Sequence, residues 1–375
     1  MKMHSKLQFL ALSLVIITAP LAASFWTSWT EYPTDPIYDP YPSQTLPEDF
    51  FPCVVFDDKQ FKGHGDQVSY KMWHQGADTN GSIGLSYSND GVIWTLKGET
   101  NIPTPAYHPC ILYDKNGFGG GSYQYKMWYW TGSVGTTPDV IQYAQSNDGL
   151  TWTTTQAITQ DLGSPIVFGP SGTYFYHLYG PGFMIHNPAA TSVPGQPFTF
   201  PYVMFYDIAS ETPIPSSEGI GLAYSSDGLN WTRYGTVPVL LSNGGTDWDG
   251  THTFRPSIIN VKDTYHMFYS GSNDNIDPTT TVYYAHGLGH ATSTDGINWT
   301  KDTDNPIFIY SDGVPWRNSR SYTPFVLFGR FKTPVEQPDC SVKMWFVGGI
   351  GLVAGQNQAI GYATLPCPTF LDRKQ

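Results

Sequence analysis

Apolar and polar residues alternate along this chain in short runs, and Gly, Pro, Asn and Asp interrupt them at close intervals. No stretch sustains a helical period, so β-strands are expected throughout. Five runs share one aromatic and apolar pattern: Tyr70-Lys-Met-Trp73, Tyr125-Lys-Met-Trp128, Tyr202-Val-Met-Phe205, Tyr265-His-Met-Phe268 and Val342-Lys-Met-Trp345. An apolar run precedes each. In four units it follows a proline, at Pro52, Pro109, Pro256 and Pro324, and in the third unit it is Gly182-Phe-Met-Ile185. A third run, such as Ile83 to Tyr87 or Ile220 to Tyr224, then leads into the phrase Ser-x-Asp-Gly-x-x-Trp. The phrase occurs at Ser88–Trp94, Ser146–Trp152, Ser225–Trp231 and Ser293–Trp299.

Each unit therefore reads as four strands, with a fourth beginning at the tryptophan. β-Branched and aromatic residues suit such half-buried pleated surfaces. Asp-Gly predicts a tight type I′ turn between the last two strands, which makes these aspartates turn residues. Repetition at roughly 55 to 80 residues predicts an all-β fold, a five-bladed β-propeller of four-stranded antiparallel blades. The fifth unit has no Asp-Gly-Trp phrase. Trp29-Thr30 precedes Pro36-Ile37 at the offset that separates Trp299-Thr300 from Pro306-Ile307. The segment from Phe25 to Tyr32 is thus expected to complete blade five and close the ring, removing two open sheet edges.

Composition narrows the class. The 375 residues are 15% aromatic, only 13% charged, and carry a formal net charge of −12. That balance argues against nucleic acid, whose binding needs phosphate neutralisation by Lys and Arg. Residues 1–24 read as a secretory leader, with Lys2 and Lys6, an apolar run from Leu7 to Ile17, and small residues at Ala22, Ala23 and Ser24. The organisation expected is a leader (1–24), one propeller domain (25–370) and a short tail (371–375). The mature protein would be secreted or periplasmic, without a membrane span, and monomeric. Cys340 and Cys367 flank adjoining strand ends of blade five and suit a disulfide. Cys53 and Cys110 occupy equivalent innermost strands, either paired across the axis or as buried free thiols.

Candidate chemistry collects on the face where innermost strands begin and second strands end. Blade one brings Asp49, blade two His108, and blade four Trp248, Asp249, His252 and Arg255, with Arg320 on blade five. The loops after the second strands add Trp130, Asp207 and Glu218, among other polar residues. Carboxylates beside aromatic rings suit a sugar, whose C–H faces stack and whose hydroxyls need charged partners.

The stretch Asp249 to Ile258, followed by Tyr265-His-Met-Phe-Tyr-Ser-Gly271 and Ala291 to Trp299, resembles the five-bladed glycoside hydrolases of families 32, 43, 68 and 130. In families 43 and 32 the resemblance implies an aspartate just before the innermost-strand proline of blade one. It further implies acidic residues from later blades. This chain has Phe51, His108, Arg255 and Thr323 before its prolines. On the resemblance, Asp49 is the candidate base, Glu218 the acid, and Asp249 an orienting carboxylate. His108, His252, Arg255 and Arg320 are candidate substrate binders, with Trp130 and Trp248 as stacking platforms. No cofactor is required by these residues. The resemblance also implies that an axial calcium could be held near His108 or His252. Three functions stay open: a glycosidase, a non-catalytic glycan-binding or surface interaction propeller that has lost the catalytic acids, or a purely structural surface protein.

Overall fold

The computed structural model describes residues 24–42, 50–61, 67–78, 80–131, 140–160, 177–209, 218–273, 287–332, 339–349 and 358–367. These form five antiparallel four-stranded blades. Blades one and two are separate sheets, blades three and four join through a single parallel pair, Glu218↔His252, and blade five is its own sheet. The innermost strands are Cys53–Phe56, Tyr107–Tyr113, His177–His186, His252–Val261 and Arg320–Phe331. Blade five is completed by Thr30–Glu31, which pairs antiparallel with Gln358–Pro366 in the register Thr30↔Thr364. The ring is thus closed by the N-terminal strand, as the Trp29–Thr30 offset predicts.

The repeated phrases supply the inter-blade joints. Trp73 donates its indole N–H to the Gly149 carbonyl of blade two at 2.8 Å, Trp128 to Gly228 of blade three at 2.8 Å, and Trp345 to Gly91 of blade one at 2.7 Å. Glycine is needed at these turns for two reasons. Its φ lies near +80°, and a Cβ would come within 2.6 to 3.0 Å of the neighbouring indole. Blades three and four carry phenylalanine instead, so these seams pack without that bond: Phe205 lies against Trp299, and Phe268 against Trp29. The lysine of the Tyr-Lys-Met-Trp run reaches the tyrosine of the next blade. Lys71 lies over Tyr125, Lys126 over Tyr202 and Lys343 over Tyr70, at 5.2, 4.6 and 5.2 Å.

The turns differ from the type I′ expectation. The connection is longer, from Asn89 to Ile93 in blade one, and only the glycine has positive φ. The Asp90 carboxylate accepts the Val92 and Ile93 N–H groups at 2.8 and 2.7 Å, and Ser88 Oγ accepts from Gly91. The same bonds recur at Asp148, Asp227 and Asp295. The side chain, not a second left-handed residue, organises the loop.

Cys340 and Cys367 form a disulfide, while Cys53 and Cys110 are buried free thiols. Cys53 Sγ accepts the Ile111 N–H of the next innermost strand at 3.2 Å, and Ser257 Oγ accepts from Val326 in the same way at 2.9 Å. The small polar residue after the proline therefore ties neighbouring blades around the axis. Among the described residues no helix is long and apolar enough to cross a membrane.

Candidate functional site

All five blades meet at a cavity of about 30 Å³ on the axis. It is lined by the pairs Phe51-Pro52, His108-Pro109, Pro181-Gly182, Arg255-Pro256 and Thr323-Pro324, with Cys53, Cys110 and Phe325. A space of that size holds one or two waters and is too small to enclose a sugar ring. Proline cannot donate to a ladder, and the strand pairing skips at His108-Pro109, Arg255-Pro256 and Thr323-Pro324. The residue ahead of each proline takes a left-handed backbone, with φ of 42°, 53°, 53° and 47° at Phe51, His108, Arg255 and Thr323. Blade three has Gly182 in the proline position. A Cβ there would lie 2.4 Å from the ring of Pro256, so only glycine fits.

Cross-blade bonds hold two of these bulges. Arg255 N–H donates to Asp207 Oδ1 at 2.7 Å, and Thr323 N–H to Ser270 Oγ at 2.8 Å. Asp207 and Ser270 stand two residues beyond the second-strand aromatic of their blades, where blade two has Trp130. The Arg255 guanidinium pairs with Asp207 Oδ2, lies 4.6 Å over the Phe51 ring, and places Nη2 3.3 Å from His108 Nε2. His108 in turn packs at a tilt against Phe51 and stacks on Trp130, with ring centroids 3.8 and 5.3 Å apart. Trp130 is buried under His108 and Tyr107, so it props the histidine and offers no open face. Burial pushes the Asp207 carboxyl above its ordinary range, and the Arg255 guanidinium and N–H oppose that rise.

Beside this cluster, Glu218 Oε2 lies 3.8 Å from His252 Nδ1. Glu218 remains 18% exposed while His252 is 1% exposed, so the carboxyl is the member that faces outward. Asp207 pairs with Ile220 across the sheet, and Glu218 lies two residues from Ile220. Both side chains therefore project from the same face of blade three, one diagonal step apart, with Cα atoms roughly 7–8 Å from each other. Sequence reasoning placed Asp207 only among the loop acids. Its signal was the position two residues after Phe205, whose meaning emerges from the pairing register.

Asp249 belongs to a different cluster. It is fully buried, and its Oδ2 accepts from Lys301 Nζ at 2.5 Å and Tyr269 OH at 3.1 Å. Trp248 stacks on Tyr269 and covers Gly271 and Gly289, where a Cβ would lie 2.5 and 2.7 Å from the indole. Arg320 pairs with Gly349 and holds in blade five the place that His252 holds in blade four. Asp49 lies outside the described residues. Among the described residues no group of three or more His, Cys, Asp or Glu side chains gathers to hold a metal. A cation does not fit at His108, because the Arg255 guanidinium already faces its ring nitrogen.

No protein-family profile matches the chain, and no curated protein matches it by sequence. Solved structures do. A glycosyl hydrolase from Bacteroides ovatus is 14% identical, with a TM-score of 0.57 over 90% of this chain and 92% of that one. The chain shares the fold of this structure. A structure from the family 130 mannoside phosphorylases gives 15% and 0.56, covering 93% and 95%. A family 117 glycoside hydrolase produced by Zobellia galactanivorans gives 12% and 0.54, covering 89% of each chain.

Proposed function

We propose that the protein is a carbohydrate-active enzyme that hydrolyses a glycosidic bond above the axial cavity, with Glu218 and Asp207 as its carboxyl pair. The observation that carries this reading is their shared face on blade three, beside His252 and Arg255. Glycosidases place two carboxyls ~5–9.5 Å apart across the scissile bond, and two side chains one diagonal step apart on one sheet face can adopt such a spacing. Glu218 is reachable from solvent and donates the proton to the leaving oxygen. Asp207, fixed by Arg255, is the second carboxylate and faces the charge that develops on the sugar. His108 and Arg255 form the polar floor on which hydroxyls rest. Glycosidase activity in proteins with this fold supports the substrate class, and the Cys340–Cys367 disulfide supports an oxidising, extracytoplasmic setting.

The test is a screen of oligosaccharides and aryl glycosides, followed by two variants. Glu218→Gln should slow an unactivated oligosaccharide by about 10²–10⁴-fold and spare an aryl glycoside with a good leaving group. Asp207→Asn should slow both. Full activity of both variants on an unactivated substrate would overturn the assignment. The non-acidic residues before all four prolines favour one rival, a glycan-binding propeller. Oligosaccharide affinity without any product would select it.

A further inference from the structure

Ser24 starts the segment that closes the ring. Its carbonyl accepts from Thr27 N–H at 3.1 Å, Thr27 Oγ1 at 3.0 Å and Ser28 Oγ at 3.0 Å. Those bonds fix the turn Phe25–Thr27, which lays Trp26 on His266 with ring centroids 3.8 Å apart and sets Trp29 against Phe268. Trp29 donates its indole N–H to the Trp26 carbonyl, three residues back, as each phrase tryptophan does to its glycine. Ser24 thus begins the substitute for the missing phrase of blade five.

The nitrogen of Ser24 donates to Asp304 Oδ2 at 2.5 Å. Asp302 stands beside it, its carboxyl held well below the usual range by His290, against the effect of burial, and further by the Ser24 side chain. Lys301 is committed to Asp249, and burial keeps His290 from taking up a proton easily. The Asp304 carboxylate therefore faces the nitrogen and Asp302 the Ser24 side chain, while the nitrogen, as an amide N–H, brings them no charge. An ammonium would.

We infer that the chain is cut between Ala23 and Ser24, and that the new α-ammonium is bound by Asp304. Small residues at Ala22, Ala23 and Ser24 permit a cut on either side of Ser24. Only the cut before it keeps the residue that starts the turn. Water adds across the Ala23–Ser24 peptide: Ala23 departs as a carboxylate, and Ser24 gains an amine that is largely protonated at neutral pH. A leader peptidase that accepts small residues beside the bond performs the step. The bound ammonium then locks the closing segment to blade four, independently of the activity proposed above.

The test begins with the full chain, leader included, expressed in a secreting host, and reads the N-terminus of the exported protein by mass spectrometry. A start at Ser24 is expected. A start at Phe25 or later, or a retained leader, overturns the inference. Binding of the amine is tested on protein that begins at Ser24, with the amine free or acetylated, each with and without Asp304→Asn. The amine should titrate about one unit above the ordinary ~7.7–8.0. Acetylation should lower Tm by about 1–3 °C in the parent and not in Asp304→Asn. An unshifted amine, or equal loss in both backgrounds, overturns the role of Asp304.

Discussion

Around the axis, single side chains do the work that a continuous sheet would otherwise do. Innermost strands of neighbouring blades are not paired edge to edge, so the backbone N–H groups there need acceptors from side chains. Cys53, Ser257 and Ser270 meet that need for Ile111, Val326 and Thr323. Cys53→Val keeps shape and apolarity but leaves the Ile111 N–H buried without a partner. A loss of about 1–3 kcal/mol in chemical denaturation is expected, with Cys53→Ser retaining most of the stability. Equal stability of the Val variant would show that the thiol serves packing alone. The sequence marked Cys53 and Cys110 as equivalent but left pairing open, because an acceptor role depends on a strand from another blade.

At the scale of the element, the N-terminal segment is held by polar groups as much as by strand pairing. Arg317 donates Nε and Nη2 to the Glu31 carboxylate at 2.9 and 2.8 Å and also meets Asp312. Asp35 accepts the Tyr362 N–H at 3.0 Å through Oδ1, while its Oδ2 is buried without a partner. Burial pushes the Asp35 carboxyl up to about 7, and the Tyr362 N–H opposes that rise. The folded chain therefore binds this proton more tightly than the unfolded one. The resulting stabilisation is complete below pH ~4 and is lost as pH rises through about 7. His266, lowered to about 3 by burial and by His290, acts in the opposite sense, favouring the fold above its unfolded value near 6.5. The difference between parent and Asp35→Asn isolates the carboxyl. Asp35→Asn should gain stability relative to the parent as pH rises from 4 to 8, measured by denaturant titration at each pH. A pH-independent difference would remove Asp35 from the closure.

For the molecule as a whole, stability depends on the ring staying shut. The Cys340–Cys367 disulfide spans 27 residues and ties the second strand of blade five to the third, on which the N-terminal strand is added. Replacing both cysteines by serine should cost ~2–4 kcal/mol, seen as a lower denaturation midpoint. Reductant should reproduce that loss in the parent and leave the double variant unchanged. An unaltered midpoint would mean that strand pairing alone closes the ring. The four-stranded blades, the closing strand and this disulfide were all legible from repeat phrases and offsets. The turn geometry was not, because an aspartate side chain replaced the left-handed residue that a two-residue turn requires.

By itself the sequence determined what short-range physics encodes: strand period, blade repetition, the glycine turns and the segment that completes the fifth blade. These depend on residues within a few positions of one another, so a repeated phrase reveals them. Only the tertiary structure decided which polar residues meet. Asp207 joins Arg255 across 48 positions and Arg255 meets His108 across 147, while Asp249 turns away to Lys301. Those pairings follow from inter-blade register and from the bulge before each proline. Both are set where innermost strands converge on the axis, and no local pattern of residues records that convergence.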